Sequence, residues 1–222
     1  QGTSISLLIA MTTMLHGVHA HTGPYRRDGV PYKGVDAAAA TFTNVTVADS
    51  AGVGLFLDTA STLTAQGLVL DAPSGEYAVV TDYEQLGMFG ADVQMTDAGN
   101  PTVRSRSFDV MTEATTIDLP TAPVVLADDL IVDTSASLTL QAGTELRFPA
   151  GGGLYASGPV VSNGTEDAPV VLTGPQATPG SWVGVRLEAS SGNQMTWTTI
   201  SYGGGDMDFS DDANLVIGND LT

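Results

Sequence analysis

The three histidines of the chain, His16, His19 and His21, fall within one stretch of six residues. On a strand, His19 and His21 share a face, and imidazoles so placed bind zinc or copper when further ligands complete the set. Asp28 and Asp36 are the nearest downstream carboxylates. The spacing follows no zinc signature, so a polar loop beside an apolar segment competes with this transition-metal reading. A second cluster joins Asp206, Asp208, Asp211 and Asp212 to Asn214, with Asp220 following. Hard oxygen ligands at this density hold Ca2+ on exposed loops. The glycine and closing glutamate of an EF-hand are missing here, and a solvated acidic turn is the plainer account. Calcium is therefore a candidate cofactor rather than an assigned one.

Catalytic sets are harder to assemble. Arg104 and Arg106 alternate and so share a strand face. Elimination chemistry on uronates needs such a base, with acidic ligands and Ca2+ to neutralise the substrate acid. No acidic constellation can be placed beside these arginines from spacing. Glycoside hydrolysis needs two opposed carboxylates, and among 25 acids no pair stands out. There is no Gly-x-Ser-x-Gly elbow. Gly151–Gly153 and Gly203–Gly205 carry no P-loop lysine and read as tight corners. Trp182, Trp197, Tyr25, Tyr32, Tyr155 and Tyr202 would form a sugar-stacking platform only if they point outward. Strands rich in threonine (Thr41, Thr43, Thr46 and Thr196, Thr198, Thr199) lack the Thr-x-Thr rank on every coil that a flat ice-binding face requires.

Composition narrows the partners. The 222 residues include 25 acidic and 7 basic side chains, a formal net charge of −18, with Lys33 the sole lysine. A surface this acidic repels nucleic-acid backbones and anionic lipid, so neither is an expected partner. Hydrophobic residues make up 42% of the chain, enough to build a core and to argue against general disorder. Aspartate far outnumbers glutamate, which favours turns over helices. Cysteine is absent, and with it any disulfide or thiolate site. The apolar run Ile5–Leu15 is too short for a bilayer, which takes about 20 residues. Followed by Val18-His19-Ala20, it resembles an export segment, but no basic stretch precedes it, and a buried element is the preferred reading. No insertion into a membrane is expected within this chain.

The elements that must position these residues are short strands. Thr41–Val47, Gly54–Leu57, Thr62–Thr64, Leu68–Leu70, Tyr77–Thr81, Val124–Leu126, Leu130–Val132, Leu138–Leu140 and Glu145–Phe148 are separated by Gly, Asp, Asn, Ser and Pro. The series continues through Leu154–Ala156, Val160–Ser162, Val170–Thr173, Trp182–Leu187, Trp197–Tyr202 and Leu215–Ile217. Helical periodicity is weak, with Ile5–Leu15 and Tyr83–Phe89 the best candidates. Two internal echoes accompany the strands. Leu55 to Thr64 resembles Leu130 to Thr139, and Thr41–Val47 with Leu55–Leu57 resembles Thr196–Tyr202 with Leu215–Ile217. Repeated strands without intervening helices indicate a solenoid, in which each coil buries its inward residues by stacking on its neighbours. A β-sandwich gives similar spacing, but the repeats favour the solenoid.

Four stretches carry a family resemblance. Ser137 to Phe148, Gly164 to Thr173, Pro179 to Val185 and Ile200 to Gly204 resemble, in order, the "LTIEPGTxLRF", "GTxxAPVVFTG", "PGxWxGI" and "IxYGG" coils of bacterial right-handed parallel β-helix repeat proteins, within the pectate-lyase-like coil superfamily. The resemblance covers about residues 124–205 and is weaker before residue 100. It implies an all-β, right-handed parallel β-helix, with Trp182 seated against the coil and less regular coils over 1–123 leading into regular ones over 124–222. It also implies a secreted or cell-surface location and no particular reaction. The resulting expectation is an extracellular structural or adhesive module, a spacer, fibre or filament subunit that associates with itself or with surface polysaccharide. A polysaccharide-binding or polysaccharide-degrading, lyase-like protein is the alternative. An enzyme is the less favoured of the two.

Overall fold

The computed structural model describes residues 39–48, 53–57, 61–71, 77–90, 92–96, 103–105, 110–189, 191–205 and 212–218, with the backbone of 26–27 and 30–31. Ile5–Leu15 lies outside them. Among these residues every strand pairing is parallel except the small hairpin Arg26–Arg27 with Val30–Pro31. Parallel neighbours need a crossover between them. Here the crossovers are themselves strands of other sheets, so the chain winds as an all-β parallel β-helix of about 6 turns. A sandwich of facing antiparallel sheets is excluded by the same pairings.

One sheet runs the length of the winding. Its seven strands are, in spatial order, Leu55–Phe56, Val79–Thr81, Val103–Ser105, Val124–Val125, Glu145–Arg147, Val170–Thr173 and Thr198–Ser201. The register places Leu55, Val79, Val103, Val124, Leu146, Leu172 and Ile200 in a single inward column. The five central members are 0% exposed, and only the two ends are partly open. Each buried aliphatic side chain contributes about 1.5–3 kcal/mol from water exclusion, offset by the entropy of ordering its coil. Strand alternation places the intervening residues outside. The pattern of Val-Val-Leu-Thr at 170–173, buried at Val170 and Leu172, is a direct instance.

Two four-stranded sheets complete the later coils. The second sheet is Ala114–Ile117, Ser137–Gln141, Val160–Asn163 and Gln194–Thr196; the third is Leu130–Val132, Gly153–Ala156, Gly184–Leu187 and Leu215–Ile217. In the earlier coils the sheets are Ala39–Thr43 with Thr62–Gln66, and Thr46–Val47 with Val69–Asp71 and Gln94–Thr96. The first echo thus links different sheets: Leu55–Phe56 belongs to the long sheet and its counterpart Leu130–Val132 to the third. What the two share is the step that follows, into Thr62–Gln66 and Ser137–Gln141.

The Tyr83–Phe89 helix candidate is a single 3₁₀ segment, Glu84–Met88. It packs between the strands Thr62–Gln66 and Ala114–Ile117, where a further strand would otherwise stack. A helical turn cannot continue the ladder, so side chains bond the backbone groups it leaves. Gln85, 4% exposed, donates from Nε2 to the Ser61 carbonyl at 2.8 Å. Its Oε1 accepts from Thr81 Oγ1 at 3.0 Å and from the Asp82 amide at 3.3 Å. Glu84 Oε1 accepts from the Thr112 amide and hydroxyl. Leu63 donates its amide to Met88 Sδ.

Candidate functional site

The corners carry the acids. Asp133 follows Leu130–Val132, and its Oδ1 accepts from the Ser135 amide at 2.9 Å and the Ser135 hydroxyl at 2.8 Å. These bonds hold its carboxyl below the usual carboxylate range, the Ser135 amide having the largest effect. Asp128 Oδ1 caps the Asp129 amide, and Asp129 Oδ1 accepts from Gly153 on the adjacent coil. The Asp128-Asp129 pair is thus a turn that also ties two coils together.

The glycine-rich segments are corners as well. Gly204, at φ +85, lies with the Asp212 carbonyl where a Cβ would project. The Pro179–Val185 and Ile200–Gly204 motifs are neighbours and bond each other. Gly180 donates to Gly203, Ser181 to Tyr202, Gly204 to Val183 and Gly205 to Trp182, all through backbone groups. Trp182 is 0% exposed and stacks on Phe148 at 4.6 Å with 15° between the rings. Its Nε1 donates to the Ser201 carbonyl at 2.7 Å. It therefore seats against the coil and belongs to no sugar platform. Trp197 and Tyr202 are exposed, Tyr155 is half-buried, and Tyr25 and Tyr32 lie outside the described residues.

His16, His19, His21, Asp206, Asp208 and Asp211 likewise lie outside the described residues. Asp212 is exposed with φ 46. Asn214 Oδ1, grouped with this cluster by sequence, accepts from the Gly203 amide at 2.7 Å. No group of three or more His, Asp or Glu arranged for a metal occurs among the described residues. Arg104 points outward on the long sheet, its guanidinium 5.4 Å from the centroid of the Tyr77 ring. Arg106 lies outside the described residues. The outward column through Arg104 continues to Val125, Arg147, Thr173 and Ser201. Arg147 Nε meets Glu145 Oε1 at 2.6 Å.

Register exposes a feature that spacing alone does not. None of the four strands of the second sheet contains Asp, Glu, Lys or Arg. One outward column runs Thr116, Thr139, Val161, Gln194 and another Gln141, Asn163, Thr196. Thr116, Asn163, Gln194 and Thr196 are exposed, and Thr139, Gln141 and Val161 half-buried. The long and third sheets, by contrast, carry Arg104, Glu145, Arg147 and Arg186.

No protein-family model, no curated protein and no solved structure matches this chain. No helix among the described residues is long and apolar enough to cross a membrane.

Proposed function

We propose that this chain is an extracellular structural or adhesive module, a β-helical spacer or fibre unit of a bacterial cell surface, of the right-handed repeat type with pectate-lyase-like coils. The observation that carries the reading is the unbroken seven-strand sheet with its single inward aliphatic column. Such a column makes a stiff rod, because each coil is locked to two neighbours along its whole inner edge. The four motif stretches favour the export setting. Antibodies against the chain are expected to label intact cells of the source organism. Labelling only after permeabilisation would overturn the proposal.

A second reading, a lyase-like polysaccharide enzyme, draws on Arg104 and Arg147 lying in one outward column with Val125 between them. Two guanidinium groups in one outward column, roughly 9.6 Å apart across two rungs, suit two carboxylates of one uronate chain. Incubation with polygalacturonate, with and without Ca2+, tests it by the ultraviolet absorbance of unsaturated products. Absence of product in both conditions removes this reading.

A further inference from the structure

The charge-free second sheet calls for an explanation beyond folding. Stacked strands disfavour like charges in one column, since neighbours sit about 4.8 Å apart. That cost does not forbid isolated charges: the long sheet accommodates Arg104 and Arg147 by separating them with Val125, and pairs Arg147 with Glu145. The second sheet has the same architecture and uses none of these options. Its edges nevertheless border acidic corners, with Asp118 directly after Ile117 and Asp133 shortly before Ser137. Charge is absent from the face and present around it.

We infer that the outward face of the second sheet is the adhesive surface of the module and that it takes a neutral, hydroxyl-rich polysaccharide lying along the coil axis. The inference rests on the adhesive reading above and names its ligand class. Thr116, Thr139, Gln141, Asn163, Gln194 and Thr196 present hydroxyls and amides, which both donate and accept and so match a polyol. The face has no cation to hold a carboxylate or sulfate, and the flanking acids repel a polyanion. A linear polymer along the axis meets similar donors on each rung, so weak contacts accumulate through multivalency.

The extent of the face argues against a second copy as occupant. Four rungs at about 4.8 Å and about five residues at about 3.3 Å give roughly 300 Å². Adding the equally uncharged pair Ala39–Thr43 and Thr62–Gln66, beyond the 3₁₀ segment, brings this to roughly 480 Å², still short of the ~800 Å² per partner of a standard interface.

The test is retention of the full chain on microcrystalline cellulose, with polygalacturonate gel as the acidic comparator. The double variant Thr139→Glu with Gln194→Glu places two carboxylates in one column with Val161 between them, the spacing the long sheet already tolerates. The control, Thr173→Glu with Val216→Glu, adds the same charge beside Arg147 and Arg186 on the other sheets. Cellulose retention is expected to fall about tenfold or more in the first variant and to stay within about twofold in the control. Should the first variant misfold by circular dichroism, Thr139→Ala with Gln194→Ala is expected to lose about threefold or more. Equal loss in variant and control, no loss in either, preferential retention on polygalacturonate, or dimerisation through this face in sedimentation each overturn the inference. Intact cells that are labelled by antibody while the chain ignores cellulose would remove the neutral ligand and leave the surface module standing.

Discussion

Replacing Trp182 separates ring stacking from hydrogen bonding at the point where three coils meet. The indole is 0% exposed, stacks on Phe148 at 4.6 Å, and donates to the Ser201 carbonyl at 2.7 Å. Trp182→Ala removes both interactions and leaves a cavity, a change that costs about 3–5 kcal/mol in well-packed cores. Trp182→Phe keeps a ring over Phe148 and loses the indole N–H. Ser201 is only half-buried, so water reaches its carbonyl in part, and the loss should be about 1–2 kcal/mol. Urea unfolding followed by far-ultraviolet circular dichroism reads the difference. With a slope near 2 kcal/mol/M, the Ala variant should unfold about 2 M earlier and the Phe variant less than about 1 M earlier. The Phe variant should also show red-shifted tryptophan emission, because the remaining Trp197 is 56% exposed. Equal costs for Ala and Phe would assign the effect to the hydrogen bond alone. A cost below about 1 kcal/mol for Ala would refute the packing argument outright.

Two further expectations follow from the corners and the 3₁₀ segment. Asp133 titrates below the ordinary carboxylate range when folded, so its contribution is present above the unfolded value and lost as the pH falls through the folded one. The urea midpoints of wild type and Asp133→Ala should therefore differ at about pH 7 and converge at about pH 2; a gap that widens on acidification would contradict the Asx turn. Gln85→Met keeps the volume and removes bonds to Ser61, Thr81 and Asp82, which should cost about 2–4 kcal/mol in urea unfolding, with a neutral result refuting the bridging role.

The inward columns were legible because parallel strands repeat a strict alternation: Val170 and Leu172, or Leu138 and Leu140, are apolar on every second residue. The Asp-rich corners were legible for a chemical reason, since short carboxylates bond the backbone two residues on, as Asp133 does to Ser135. Tyr83, Leu86 and Phe89, spaced by three, gave the 3₁₀ segment as a short helix; its place in the stack depends on Gln85 reaching Ser61, a contact across 24 residues. Ala114–Ile117 escaped notice because its inward residues are Thr115 and Ile117, and a buried threonine leaves no apolar alternation. The assignment of strands to sheets was hidden too. Alternation fixes which side of a strand faces inward, whereas the angle of each corner fixes which sheet it joins, so Leu55–Phe56 and Leu130–Val132 echo in sequence and diverge in space. The uncharged face was invisible for a related reason: its four strands lie far apart along the chain, and only register brings Thr139, Val161 and Gln194 into one column.

The same columns explain how an all-β solenoid carries a net charge of −18. Two exposed like charges about 4.8 Å apart repel by roughly 0.9 kcal/mol in water, and a column would repeat that cost at every rung. Corners escape it, because their side chains splay and bond local amides, as Asp128 and Asp133 do. Acids therefore collect along the corners, and on the long sheet Glu145 stands beside Arg147. The resulting surface alternates acidic ridges with nearly neutral sheets. Salt at physiological strength screens beyond about 8 Å, which weakens ridge-to-ridge repulsion between molecules and leaves the buried aliphatic columns untouched. Raising ionic strength should thus ease the approach of anionic partners and of other copies, while coil stacking stays the same.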